Sequence, residues 1–431
     1  MSELVKKVGI IGFGTVGSGV YETLLNKRAK IEELIDGSFE IPVVLVKDLN
    51  KAREMNSNTT LTATFEDLAK FNLDAVIEAS PDAVTGYPYV RQLLQEGITV
   101  VTANKELMSK HGEELLELAD RFQCRLFFEA AVAGGIPLLT SVRHTLKTND
   151  VEQVEGIVNG TSNFILTKMR EDGESFHDAL AQAQQHGYAE EVPDKDIDGW
   201  DAYYKTTILS QWIYQTAPSW VTQNPVGIRG IDSRDLKLAE KFNGRIKHIA
   251  SLKKNSRGIT ASVRPQLVLA TNPLYGVEGV NNGVHIKGDI VGSLLFQGAG
   301  AGKYPTSSAM IEDLVNDWTG TSEKIPFDVY KFAAEPSSDQ LNKLIKSVSQ
   351  EVTFWFVSGE QLTLPLDNNN LIEKLTHIKN FDGREAMIVK GEETKVIELI
   401  GSQNQNVVIY PISGDKEEIF QLDGAKEPTF L

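Results

Sequence analysis

Residues Val8–Gly17 read Val-Gly-Ile-Ile-Gly-Phe-Gly-Thr-Val-Gly. The apolar run ends at Ile11, and Gly12, Gly14 and Gly17 follow with the spacing G-x-G-x-x-G. Val16, Val20, Leu24 and Leu25 then recur as a helical stripe. A glycine motif of this kind carries weight only between a strand and a helix, which is its setting here. The glycines permit a tight turn, let a pyrophosphate approach the backbone and let helix and strand pack closely. The helix N-terminus then faces the phosphates. The stretch predicts an α/β protein that opens with a Rossmann-type nucleotide-binding domain.

Working outward, Pro42–Val46 reads as the second strand, followed by Lys47, Asp48, Lys51 and Arg53. An acidic residue there suits a ribose 2′-hydroxyl and a basic one a 2′-phosphate. Lys47 comes first, which leans towards NADP or use of both NADP and NAD. Asp74–Ala79 and Ile98–Val101 read as further strands, with a helix over Glu106–Phe122. Thr102 and Lys105 lie in the turn between strand and helix, at the strand end where ligands sit in an open parallel sheet. Arg125–Ala131 reads as a strand leading into Val132-Ala133-Gly134-Gly135-Ile136-Pro137, the expected exit from this domain. The glycine-rich loop Gly298–Gly302 and the helix after it are expected to return to it.

Val151–Val158 reads as a strand, Asn159–Asn163 as a polar loop and Phe164–Met169 as a helix. Gly187–Lys205 then concentrates Glu190, Glu191, Asp194, Asp196, Asp198 and Asp201 ahead of Lys205. Asp198 suits the N-cap of a helix from Trp200, and Asp201 and Lys205, four apart, share one face of it. Three readings compete. A solvated acidic surface is the default for a bare charge run. An EF-hand calcium loop is excluded because its twelfth position is Lys205, a cation, rather than a bidentate Glu. A polar substrate site, with carboxylates for a cationic group and a lysine for proton transfer, is the third.

The 431 residues carry 43 basic and 59 acidic side chains, a net charge of −16. That disfavours general nucleic-acid or anionic-membrane binding. A single cysteine, Cys124, fits a reducing, cytoplasmic setting; it precedes an apolar strand and reads as packing. No apolar run is long enough to span a bilayer.

Several stretches together resemble the homoserine dehydrogenase family: GFGTVGSGV, VVTANKELMSKHG from Val100, FEAAVAGGIPLL from Phe128, VEGIVNGTSNFILTKM from Val154, the acidic stretch to Lys205, and GAGAGKYPTSSAMIEDL from Gly298. They run in family order over roughly residues 5–325. The resemblance implies reversible NAD(P)H-dependent reduction of aspartate semialdehyde to homoserine, a step towards threonine and methionine. It makes Lys205 the proton-transferring lysine, with Asp201 and Lys105 beside the chemistry and Glu190 and Asp196 on the substrate. It puts Phe13, Thr15 and Val16 in the dinucleotide loop with the three glycines, and Lys47, Thr102, Lys105 and Gly302 near the cofactor. It implies a sodium ion at Glu129, Val132, Gly134 and Ile136, and a homodimer formed through the middle domain.

The implied domains are residues 1–137 with a returning segment 303–325, a substrate and dimerisation domain over 138–302, and a small α+β domain over 340–431. The last occupies the place of a regulatory ACT domain and lacks its Pro-Gly-Val-Leu signature. A diverged ACT-like module is one reading of it, and the missing signature leaves threonine feedback open. Val352–Val357, Asn369–Ile378, Glu385–Val389, Lys395–Ile400 and Asn406–Ile409 suggest the order β-α-β-β-β there. Two rival functions are a semialdehyde dehydrogenase that forms an acyl-enzyme, which needs a cysteine nucleophile, and a dinucleotide-sensing regulatory protein.

Overall fold

Strand β1 (Val5–Ile11) buries Val8, Ile10 and Ile11, as a strand covered on both faces must. It lies at the centre of a parallel sheet with β2 (Ser38–Glu40), β3 (Val43–Leu45), β4 (Thr60–Thr62), β5 (Ala75–Glu78), β6 (Thr99–Thr102) and β7 (Leu126–Phe127). The structure is a computed structural model and describes residues 5–222, 224–256, 258–321, 351–362, 372–376, 378–401 and 406–421.

The sheet runs β4-β3-β1-β5-β6-β7, with β2 also paired to β1. Ile10 is in register with Val44 on one side and Ile77 on the other. The chain therefore winds away from β1 in both directions, and the end of β1 is the switch point where such sheets bind ligands. The helix Lys303–Trp318 buries Met310, Leu314 and Trp318 in the same core as Val20 and Leu24 of the helix Thr15–Asn26.

The described chain divides into two units. The first takes residues 5–148, 207–217 and 298–321; the second takes 149–206, 218–297 and the described residues from 351 onward. The first unit thus runs beyond the expected exit at Pro137 and reclaims a segment of the middle region.

The second unit is built on a mixed sheet of β8 (Val151–Ile157), β9 (Ser219–Trp220), β10 (Gly244–Asn255), β11 (Gly258–Leu269), β12 (Asn281–Gly288), β13 (Gly292–Ala299), β14 (Val352–Gly359), β15 (Ile372–Lys374), β16 (Lys379–Phe381), β17 (Arg384–Glu392) and β18 (Val408–Ser413). Its main order is β13-β12-β8-β10-β11-β18-β14-β17-β15. The C-terminal strands, expected as a small α+β domain, join the middle sheet at one strand pair and also form an apolar cluster of their own around Trp355 and Val389. β18 pairs in parallel with β11, Leu267 opposite Ile412, so the terminal strands extend the middle sheet. Phe354, Phe356, Ile388 and Tyr410 share one apolar core with Phe164, Ile228, Leu236 and Phe242.

The order of elements in the C-terminal part also differs from the expectation. The described part of 369–378 contains strand β15 instead of a helix, and 395–400 lies in the helix Glu393–Gly401 instead of a strand. Val396 and Ile400 are buried while Ile397 is exposed, the pattern of one helix face. Residues 336–338, read as a linker, lie outside the described residues; of the tail, Lys416–Gln421 is a helix and 422–431 lie outside them.

Candidate active site

In the first unit the site begins where β1 ends. Gly12 has φ +86°, and a Cβ there would lie 2.5 Å from the Ala79 carbonyl oxygen. A Cβ on Gly17 would overlap the Gly12 carbonyl oxygen, whereas one on Gly14 would meet nothing within 4 Å. Gly14 is the N-cap of the helix Thr15–Asn26, and no side chain caps that helix. Open space over a glycine beside uncapped helix amides fits a pyrophosphate. Thr15 is exposed at the mouth of the turn; Val16 and Phe13 are half-buried, Phe13 edge-on to Tyr21 at 5.5 Å. Lys47 is exposed just beyond β3. Arg53 Nη1 donates to the carbonyls of Asp48 at 2.7 Å and Lys51 at 2.8 Å, closing the turn that follows.

Thr102 has a more internal role than predicted. Its Oγ1 donates to Glu78 Oε2 at 2.5 Å and accepts from Asn104 N at 2.9 Å. Glu78, fully buried at the end of β5, also accepts from the Ser80 amide at 2.8 Å and from the Ser80 hydroxyl. Burial pushes its pKa up against these hydrogen bonds. Asn104 caps the helix Lys105–Arg121 through Leu107 N at 3.0 Å. Lys105, half-buried, is the first residue of that helix and not part of the preceding turn. Gly302 is the N-cap of the helix Lys303–Trp318.

The strand expected over Arg125–Ala131 stops at Phe127, and Ala130–Ala133 forms a helical turn. Glu129 explains the break. Its two carboxylate oxygens accept from Leu139 N and Thr140 N, each at 2.7 Å, and so cap the helix Leu138–Thr145. Its own amide donates to Asp313 Oδ2 at 3.1 Å. Burial, helped by the Glu129 charge, holds the Asp313 carboxyl well above the usual range. Gly134 has φ +58°, and the Ile136 carbonyl accepts from Leu138 N at 2.8 Å. Each Glu129 carboxylate oxygen keeps a second lone pair, the kind of donor a monovalent cation takes.

The second unit holds the charged cluster. Lys205 Nζ lies 2.9 Å from Asp201 Oδ2 and donates to the Val158 carbonyl at 2.7 Å. Both side chains are buried, at 7 % and 2 % exposure, which excludes the reading of a solvated surface pair. Asn159 Nδ2 donates to Asp201 Oδ2 at 2.9 Å and to Asp196 Oδ1 at 2.8 Å. Its Oδ1 accepts from Ser162 N at 2.8 Å and so caps the helix Gly160–Glu171. The expected polar loop over 159–163 is thus the cap and first turn of a longer helix. Asp198 is not the cap of the helix Trp200–Tyr214; it ends the turn Asp194–Ile197, and Arg229 Nε binds its carboxylate at 2.5 Å. Glu190 is exposed, and among the described residues no hydrogen bond joins its carboxylate to the cluster; its carbonyl accepts from Gln184 Nε2 at 3.1 Å.

Sequence reasoning missed Asn159 and Asn104 as organisers. Both are Asn separated from a strand by one residue and directly before a helix, the ordinary signal of an N-cap. It also missed His248, buried beside this cluster with Nε2–H donating to Val226 O at 2.9 Å. Burial pushes its pKa down to about 4, while the Asp201 charge acts the other way. Between the ordinary value of 6.5 and about 4 the unfolded chain binds a proton that the folded chain refuses, so stability is lost as the pH drops through that window. The expected loss from this group between pH 7.5 and pH 5 is about 2 kcal/mol. Urea unfolding at the two pH values checks it, with His248→Gln flattening the difference.

A glycine turn at the switch point of a parallel sheet in the first unit, and a buried lysine–aspartate pair on the helix Trp200–Tyr214, fit an NAD(P)-dependent oxidoreductase. Residues 12–129 match the family model described as homoserine dehydrogenase, NAD binding domain, and residues 137–315 the model described as homoserine dehydrogenase. The chain belongs to the homoserine dehydrogenase family and has homoserine dehydrogenase function. The homoserine dehydrogenase of Lactococcus lactis is 34 % identical over 373 residues, covering 80 % of this chain and 87 % of the relative. That of Neisseria gonorrhoeae is 37 % identical over 310 residues, 72 % and 71 % of the two chains. The crystal structure of the Thiobacillus denitrificans enzyme superposes with a TM-score of 0.84 at 29 % identity, covering 95 % of this chain and 99 % of that one. A hyperthermophilic archaeal homoserine dehydrogenase in complex with NADPH superposes at 0.63 with 27 % identity, over 74 % and 99 %. Cys124 argues against acyl-enzyme chemistry: it hydrogen-bonds the Leu94 carbonyl at 3.4 Å, and burial pushes its thiol up to about 11. Among the described residues no helix is long and apolar enough to cross a membrane.

Proposed function

We propose that this chain interconverts aspartate 4-semialdehyde and homoserine, with NADPH preferred over NADH, on the route to threonine and methionine, and that Lys205 moves the proton. The observation that carries this reading is the buried Lys205–Asp201 pair, tied to Val158 and Asn159. The nicotinamide, when bound, takes or supplies the hydride. Lys205 takes the hydroxyl proton as homoserine is oxidised and returns it to the carbonyl oxygen in reverse. Asp201 orients the lysine, Asp196 and Glu190 hold the substrate's ammonium group, and Lys105 contacts substrate or cofactor. Gly12 to Gly17, Thr102 and Gly302 shape the cofactor site.

Lys47 supports the NADP preference, since an exposed cation just beyond β3 suits a 2′-phosphate. Absorbance of reduced nicotinamide with homoserine plus NADP or NAD tests the whole reading. Turnover is expected with both cofactors and faster with NADP, and Lys47→Glu should reverse that order. No turnover with either cofactor in folded protein would overturn the proposal.

Two further parts belong to the same reading. A sodium ion held by Glu129, Val132, Gly134 and Ile136 would stiffen the turn before Leu138. A homodimer would cover strand β13, an edge strand that exposes Leu295, next to exposed Ile290 and Val291. Cytoplasmic location remains the expectation from cysteine usage.

A further inference from the structure

The Val158 carbonyl that holds Lys205 has a second donor. Asn282 Nδ2 donates to the same oxygen at 2.9 Å. Asn282 is fully buried at the start of β12, in the strand that pairs directly with β8 through Gly283 opposite Ile157. A carbonyl oxygen has two lone pairs, and here a lysine ammonium and a side-chain amide both donate to it. Since the carbonyl only accepts, the Asn282 amide must turn its nitrogen towards Val158. Its Oδ1 is then directed away, buried and without a hydrogen bond among the described residues. A buried amide that leaves its oxygen unmatched forgoes about 1–3 kcal/mol, so its orientation is held by the bond to Val158.

We propose that Asn282 is a positioning residue for proton transfer: it fixes the Val158 carbonyl, and through it the place of Lys205 Nζ. Val158 follows the last residue of β8 and precedes the cap Asn159, so its peptide is the free end of a strand as well as the entry to a helix. Asn282 anchors that end from the neighbouring strand. Without it the carbonyl is restrained by Lys205 alone, and the lysine loses a fixed acceptor. Misplacement of a reacting group by an ångström costs on the order of 100-fold in rate. The inference rests on the proposed role of Lys205.

The test is a double-mutant cycle on the whole enzyme, using Asn282→Leu, Lys205→Ala and the pair. Asn282→Leu is expected to lower kcat roughly 10- to 100-fold while the KM for homoserine stays within about threefold. In the Lys205→Ala background the same substitution should have almost no further effect, because no lysine is left to position. Asn282→Gln, which keeps the amide, should recover part of the rate. If Asn282→Leu does not fold, Asn282→Ser, which keeps a hydroxyl donor, is compared with Asn282→Ala in the same cycle.

An unchanged kcat, a rise in KM alone, or losses that add fully to those of Lys205→Ala would overturn the proposal. Wild-type turnover together with loss in Lys205→Ala would leave the role of Lys205 standing in that event. Absence of wild-type turnover would instead remove the parent reading.

Discussion

Lys205→Ala is expected to lower kcat about 1000-fold, the middle of the range for loss of a positioned general acid–base group. The KM for homoserine should change little, because the lysine acts on the reacting oxygen and the carboxylates carry substrate binding. Steady-state kinetics with homoserine and NADP read both values, and Lys105→Ala should show the smaller loss in kcat. Equal kcat with a raised KM would contradict the role given to Lys205. The substitution also leaves Asp201 buried without its cation, which destabilises the fold. Lys205→Met combined with Asp201→Asn separates the two effects. It removes both charges and keeps a donor and an acceptor at 201, so stability should return while turnover stays low.

Asp235→Ala is expected to cost about 3–5 kcal/mol of folding stability, the usual result of stripping one partner from a buried ion pair. Asp235, fully buried in the helix Ser233–Glu240, accepts from Arg384 Nε and Ser358 Oγ, each at 2.5 Å, and from Arg384 Nη2 at 3.2 Å. Arg384 begins β17 and Ser358 lies in β14, so a single carboxylate ties a helix of the middle region to two C-terminal strands. Removing it strands a guanidinium that is 4 % exposed. Urea unfolding measures the loss. Adding Arg384→Met to Asp235→Ala should recover most of it, because a pair replaced by apolar atoms is often neutral. A loss below 1 kcal/mol for Asp235→Ala would mean that the terminal strands are held by their apolar contacts and sheet bonds alone.

How far the sequence was legible follows from which contacts are local. The turn at Gly12–Gly17 was readable because two of its glycines have no room for a Cβ, a requirement that leaves a fixed spacing. Lys205 and Asp201 were readable because four residues on a helix make one face. The coupling of Asn159 to Asp196 and Asp201 spans 37 and 42 residues, and nothing local announces it. The strand expected over Arg125–Ala131 failed because Glu129 is committed to amides ten residues further on. The C-terminal errors share a cause. Lys395–Ile400 is rich in β-branched residues and was read by propensity, whereas packing of Val396 and Ile400 into an apolar cluster with Val357 and Val389 decided for helix. The merger of the terminal strands with the middle sheet depends on β11 meeting β18 across more than a hundred residues, a pairing that no local pattern encodes.

The oxygen that receives Lys205 belongs to the main chain. Any L-residue at position 158 would present the same carbonyl, so the contact places no demand on the identity of that residue. Alanine at position 158 would report the lost packing of a side chain that is 1 % exposed and would leave the carbonyl in place. Only a change to the peptide group itself, such as an ester in place of the Val158–Asn159 amide, would weaken that acceptor without altering a side chain.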